Sequence, residues 1–250
     1  MRRKLDFNNI VYINRDIDRE RKDYIEKQLS AFRVSAKRFE AVSSNFDDYC
    51  HDWRDFVREK QSTRYYYEDP LLSNGEIGCL LSHMECLRLY GDNDLIVLED
   101  DLDFSPIEYW NFSFSEFLSK LDPDVEILQM VKYHAYTPIR VRKLVIGNEG
   151  GGNWGTAAYY IKSSLAKRIV DECYIDGKWM ISKMKCSWPR KTADAILYSF
   201  SDAYTCMLFS LRQEGNSTIN DVYNPSLEAG ARIMKHFRDN NIDLNSYFYL

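Results

Sequence analysis

The chain has 250 residues, 45% of them hydrophobic, and a formal net charge of −5, which suits one α/β domain, or one plus a subdomain, and argues against disorder. A mildly acidic balance without a basic block argues against nucleic-acid binding, because phosphate neutralisation needs clustered Lys and Arg. No stretch approaches the ~20 apolar residues of a membrane span, and Met1–Asn9 lacks a signal peptide's apolar centre.

Asn9–Ile13 reads as a buried strand, and Tyr24, Ile25, Leu29 and Phe32 fall near helical spacing after it. Lys37–Val42 predicts a second strand, so the chain opens as an α/β unit. Ser43–Leu72 is rich in charge and aromatics and poor in periodicity, and is expected to be a surface excursion acting as a lid, a binding loop or a plain insertion. Ser73 and Glu76 have capping-box spacing. Ile77, Leu80, Leu81, Met84 and Leu87 then form one apolar stripe, and Gly91 ends the helix. Asp94–Leu98 is the near-continuous apolar run of a central strand. Val125–Val131 and Thr156–Ile161 predict further strands, and Ile139–Ile146 alternates basic and apolar residues. Ser163 is expected to cap a helix reaching about Glu172, Thr192–Phe200 another, and the last thirty residues are weakly patterned. The six cysteines include no Cys-x-x-Cys pair, which argues against a zinc ribbon. Cys79 and Cys86 are read as core thiols in a reducing, cytoplasmic compartment, compatible with peripheral membrane association.

The acidic triplet Glu99-Asp100-Asp101 stands where a buried strand ends. Ligands of open α/β sheets bind outside those carboxyl ends. Continued strand periodicity points Glu99 and Asp101 one way and Asp100 the other. Hard oxygens there suit Mg²⁺ or Mn²⁺ shared with substrate phosphates, with Asp101 the leading ligand and Glu99 a second.

Four segments read in order carry a resemblance. They are Val11–Arg19 (VYINRDIDR), Leu72–His83 (LSNGEIGCLLSH), Ile96–Asp101 (IVLEDD), and Gly155–Ile161 (GTAAYYI) with Ala193-Asp194 downstream. Their order and spacing resemble glycosyltransferase family 25, which includes lipooligosaccharide glycosyltransferases and collagen galactosyltransferases. Arg15 stands where the family usually has Leu. The resemblance implies a single GT-A-like domain over residues 1–250, a mixed central sheet flanked by helices, with 43–72 as the excursion. It implies a metal-dependent, inverting transferase that uses Mn²⁺ or Mg²⁺ and moves a hexose from a UDP-sugar to a hydroxyl of a glycan or glycoprotein.

On that basis Asn14 meets base or ribose and Arg19 reaches a phosphate, held by Asp18. Glu76, at once a cap, accepts a sugar hydroxyl. Ser82 and His83 wall the site, Asp100 meets ribose, and Glu99 orients the strand end. The loop at Trp154, Gly155 and Thr156 closes over the donor. Asp194 approaches from the C-terminal half as a second metal ligand or as the base an inverting displacement needs. The base is undecided between Asp194, His83 and a loop acid. Two rivals stand beside this reading. One is a phosphotransferase or phosphatase using Asp101-Leu102-Asp103, and the other a non-catalytic carbohydrate-binding protein on the same fold.

Overall fold

The computed structural model describes residues 4–58, 70–131, 140–144, 155–186, 188–212, 234–239 and 242–248. Seven strands form the central sheet: β1 (Ile10–Asn14), β2 (Lys37–Glu40), β3 (Leu95–Glu99), β5 (Ile127–Gln129), β6 (Arg142–Lys143), β7 (Ala158–Ile161) and β10 (Ala203–Thr205). Their order is β2-β1-β3-β7-β5-β10-β6. β1 is parallel to β2 and β3, β7 is antiparallel to β3 and β5, and β10 is parallel to β5. Short antiparallel pairs join β4 (Leu102–Asp103) to β11 (Ser210–Leu211), and β8 (Tyr174–Ile175) to β9 (Lys178–Trp179). This is the mixed, helix-flanked sheet expected from the sequence.

Alternation along the central strands divides the apolar residues between two cores. Ile10, Tyr12, Ile96, Leu98, Ala158 and Tyr160 face one. Helix α1 (Arg19–Ala31) covers that face with Ile25 and Leu29, beside Phe104, Trp110, Phe114 and Phe209. Val11, Ile13, Leu95, Val97, Tyr159 and Ile161 face the other. There they meet α2 (Asn74–Tyr90), α4 (Ser163–Cys173) and α5 (Ala193–Leu197). A short helix, α3 (Phe114–Lys120), carries its own capping box from Ser113 and Glu116.

Helix α2 begins as its sequence dictates. Ser73 Oγ accepts the Glu76 amide, and Glu76 accepts the Ser73 amide at 2.8 Å. The apolar stripe is only part of its buried surface, because almost every residue from Glu76 to Leu87 is enclosed. Gly78 shows why: a Cβ there would lie 2.4 Å from the Val42 carbonyl oxygen. Ser82, one turn on, accepts the Val42 amide at 2.9 Å. Gly91 is the C-cap, as expected.

One expectation is corrected. Ser163 opens α4 without capping it: the N-cap is Lys162, and the Ser163 amide donates to Asp94 Oδ1 at 2.9 Å from far away in sequence. The weakly patterned C-terminal stretch contributes buried Phe237 and Tyr247, the latter in α6 (Asn245–Phe248) with its hydroxyl donating to the Met207 carbonyl at 3.0 Å. The described part of the 43–72 excursion is tied down by tertiary contacts. Phe46 and Cys50 are buried, and the Tyr49 carbonyl and His51 amide pair with Trp179. Tyr65–Tyr67 lie outside the described residues.

Candidate active site

β3 ends at Glu99 and the chain turns at Asp100-Asp101. Strand periodicity therefore stops before the triplet does. Asp100 and Asp101 converge on one cation, the Arg21 guanidinium, where strand periodicity places them on opposite faces. Arg21 Nη2 lies 2.5 Å from Asp100 Oδ1 and 3.0 Å from Asp101 Oδ2. Arg21 was missed because four basic residues crowd Arg15–Lys22 and only the seating of α1 on the sheet selects one of them.

Each acid has a distinct environment. Glu99 Oε1 accepts the Thr156 hydroxyl at 2.6 Å and faces His83 Nε2 at 3.4 Å. Burial pushes its carboxyl up, but His83, Thr156 and Arg21 outweigh burial and hold it below its ordinary range. Asp100 is buried and accepts from Asn14 Nδ2 at 2.7 Å. Burial raises its pKa while Arg21 and Asn14 pull it back. Asp101 is pushed up to about 7, first by burial and then by the Glu99 charge, against Arg21. Its Oδ1 is shielded from solvent and has no hydrogen-bond partner among the described residues. An orphaned carboxylate oxygen inside an acidic cluster fits a hard divalent cation, which would fill that vacant lone pair.

The β1–α1 turn abuts this cluster. Asn14 is buried, and its side chain also contacts the Asp18 carbonyl and Arg38 Nε. Asp18 binds Arg15 Nε at 2.6 Å, where the sequence reading had it holding Arg19. Arg19 is exposed at the start of α1.

The residues of α2 in the family-like block divide by face. Ser82 is spent on Val42 and on the Gly78 carbonyl. Glu76 is spent on the cap and on Arg190, whose Nη2 reaches its two oxygens at 2.7 and 2.6 Å. Cys79 and His83 turn to the site, with sulfur, imidazole nitrogen and the Glu99 oxygen all within 4.8 Å of one another. His83 Nδ1 meets the Tyr159 hydroxyl at 3.2 Å. Cys79 is partly buried and packs against the core, as the sequence suggested, and its sulfur also stands beside Glu99 and His83. Its i, i+4 relation to His83 is the signal that could have placed it there. Burial, reinforced by the surrounding acids, holds the thiol well above its ordinary pKa.

Asp194, in the first turn of α5, closes the far side. Its Oδ2 accepts the Gly155 amide at 2.8 Å, and its Oδ1 accepts the Thr192 hydroxyl and the Ala195 amide. The Gly155 carbonyl in turn accepts from Gln129 Nε2 and the Tyr198 hydroxyl, both at 2.9 Å. Gly155 sits at φ 108°, a backbone state suited to glycine. Thr156 is thereby set beside Glu99, while Trp154 lies outside the described residues. Asp103 accepts from the Ser105 amide and hydroxyl and from the Ser210 hydroxyl, which ties β4 to β11.

No described helix is long and apolar enough to cross a membrane. No curated protein matches the chain. Among solved structures it is similar to a glycosyltransferase involved in the glycosylation of the major capsid of PBCV-1. Identity is 10% over 65% of this chain and 65% of that chain, just under two thirds of that protein's length, with a TM-score of 0.31. Residues 7–176, more than half the chain, match glycosyltransferase family 25 (LPS biosynthesis protein). The blocks that build the acidic strand end and the site-facing side of α2 fall inside that match, and the chain belongs to this family of glycosyltransferases.

Proposed function

We propose that this glycosyltransferase moves a hexose from a UDP-sugar to a hydroxyl of a glycan or glycoprotein acceptor, with inversion and with Mn²⁺ or Mg²⁺ as cofactor. The observation that carries the reading is the orphaned, buried Oδ1 of Asp101 among three acids at the end of the central strand. Asp101 would hold the cation, with Glu99 beside it. When bound, the cation supplies charge neutralisation for the diphosphate leaving group.

The chain's own residues do the rest. Asn14 and Arg38 fix the turn after β1, so that its backbone offers a rigid wall to the nucleoside. Arg21, held between Asp100 and Asp101 beside the candidate metal ligand, would offer a guanidinium to the diphosphate, with Arg19 available at the surface. Asp194 and Thr192 lock Gly155 and with it Thr156, at the entrance of the donor loop.

Asp194 is the better candidate for the base. A carboxylate has about four lone-pair positions, and three donors occupy three of them. One position on Oδ2 is left to accept the acceptor hydroxyl proton, on a side chain too well held to drift. His83 is 1% exposed and enclosed by Tyr159 and Glu99, so it positions Glu99 without meeting substrate. Glu76 and Ser82 act through the placement of α2.

The test is a thermal-shift screen against UDP, GDP, CMP and UDP-hexoses, with and without Mn²⁺, on the wild type and on Asp101→Asn. A ligand that binds only the native state raises its apparent stability. A shift with UDP-sugars that requires Mn²⁺ and vanishes in a folded Asp101→Asn is expected. Equal Mn²⁺-dependent binding by wild type and variant would remove Asp101 from the site.

A further inference from the structure

The proposed transfer leaves Cys79 without a task, yet Cys79 completes a second group of ligand atoms. Its sulfur, an imidazole nitrogen of His83 and a carboxylate oxygen of Glu99 all lie within 4.8 Å of one another. Helix α2 sets Cys79 and His83 one turn apart on the same face, and β3 delivers Glu99 against them. His83 Nε2 and Glu99 Oε1 are 3.4 Å apart, close to the ~3.3 Å between a nitrogen and an oxygen on one tetrahedral zinc ion.

The surroundings of the three residues resemble those of a metal centre. His83 Nδ1 is engaged by the Tyr159 hydroxyl at 3.2 Å, the kind of outer contact that fixes the ring of a ligating histidine. Thr156 donates to Glu99 at 2.6 Å and interacts with the Cys79 thiol as well. Cys79 and Glu99 are both partly exposed, which leaves a path for an ion, while His83 is buried behind them. The donor set is also different in kind from that at Asp101. One thiolate, one imidazole and one carboxylate suit a borderline or soft divalent ion, whereas carboxylates alone suit Mg²⁺ or Mn²⁺.

We propose that Cys79, His83 and Glu99 Oε1 form a binding site for a zinc-class divalent ion, different in its donors from the neighbouring oxygen site at Asp101, to which Glu99 would lend its other oxygen. Three protein ligands leave the fourth tetrahedral position to water or a substrate oxygen. Loading draws the ligand atoms together by at most about 1.4 Å, to the separations set by metal–ligand bonds of about 2.0–2.3 Å. The proposal requires neither the UDP-sugar donor nor the transfer reaction, so it stands or falls apart from that reading.

The experiment is a Co²⁺ titration of the full chain, freed of metal by chelation and kept reduced, followed by absorption spectroscopy. One equivalent of Co²⁺ is expected to give a thiolate-to-cobalt charge-transfer band in the near ultraviolet with tetrahedral bands in the visible, both erased by Zn²⁺. Cys79→Ser and His83→Gln should abolish the charge-transfer band or its tetrahedral companion, and Asp101→Asn should leave both intact. No such band in the wild type, or a band that persists in Cys79→Ser through another cysteine, overturns the proposal. Should either variant fail to fold, zinc-edge X-ray absorption on the wild type decides: a single sulfur at about 2.3 Å supports the site, and a shell of only nitrogen and oxygen refutes it.

Discussion

Replacing Arg190 with Met probes how α2, which carries Cys79 and His83, is anchored. The Arg190 and Glu76 side chains are 8% and 11% exposed, and Arg190 Nη2 lies 2.6 Å from Glu76 Oε2. That oxygen also accepts the Ser73 amide at 2.8 Å. Arg190→Met keeps an apolar stem but strands a buried carboxylate. Breaking one side of a buried pair costs about 3–5 kcal/mol. The helix N-terminus offsets about 0.3–1 kcal/mol, because its exposed amides favour a negative charge. A net loss of roughly 2–4 kcal/mol is expected. For a chain of this size each kcal/mol moves Tm by about 2–4 °C, so Tm should fall by about 5–15 °C. In the double variant Glu76→Gln/Arg190→Met no charge is stranded and the amide oxygen still accepts from Ser73. About 1–3 kcal/mol should return. Urea denaturation with a constant slope is the assay. A loss under about 1 kcal/mol for the single variant, or a double variant no more stable than the single, refutes the reasoning.

Gly78→Ala sets a methyl 2.4 Å from a carbonyl oxygen that cannot retreat, since Ser82 holds the same residue's amide. Overpacking of about 1–3 kcal/mol should exceed the gain in helix propensity of up to about 1 kcal/mol, read as a lower urea midpoint. Asp194→Asn keeps the shape of the side chain but removes its basicity. We expect kcat to fall by about 10²–10⁴ with little change in donor KM, and an unchanged kcat in single-turnover kinetics would exclude Asp194 as the base. Glu126 is held below its ordinary pKa first by its hydrogen bond from Arg168, then by Ser201 and Ser164. A depressed carboxyl contributes stability above its unfolded pKa and loses it as pH falls through the folded value. The Tm gap between wild type and Glu126→Gln should therefore close between neutral pH and pH 3, and a gap that widens on acidification would reverse the sign.

Much of this was legible in the chain itself. Near-continuous apolar runs marked β1, β3 and β7, because strands covered on both faces must be apolar throughout. Ser73 and Glu76 fixed the start of α2, because a capping box needs only residues three apart. The acidic triplet was legible because polar residues ending a buried strand must sit at the sheet's carboxyl edge. Those features are local, and local chemistry is what a sequence states directly.

Tertiary structure decided the partners. Which arginine meets the acids depends on how α1 seats against the sheet, and that choice fell on Arg21 over Arg19. The end of β3 at Glu99 turned Asp100 and Asp101 toward one cation, against the period-two expectation. Glu76 was diverted to Arg190, 114 positions away, and α4 received its capping carboxylate from Asp94, just before β3. Cys79 looked like a core thiol because its helix is apolar, and only the approach of β3 sets it against Glu99 as well. Side-chain type and spacing fix which elements form. The site is assembled from charges and ligand atoms far apart in the chain, and their pairing follows from packing, which no local pattern encodes.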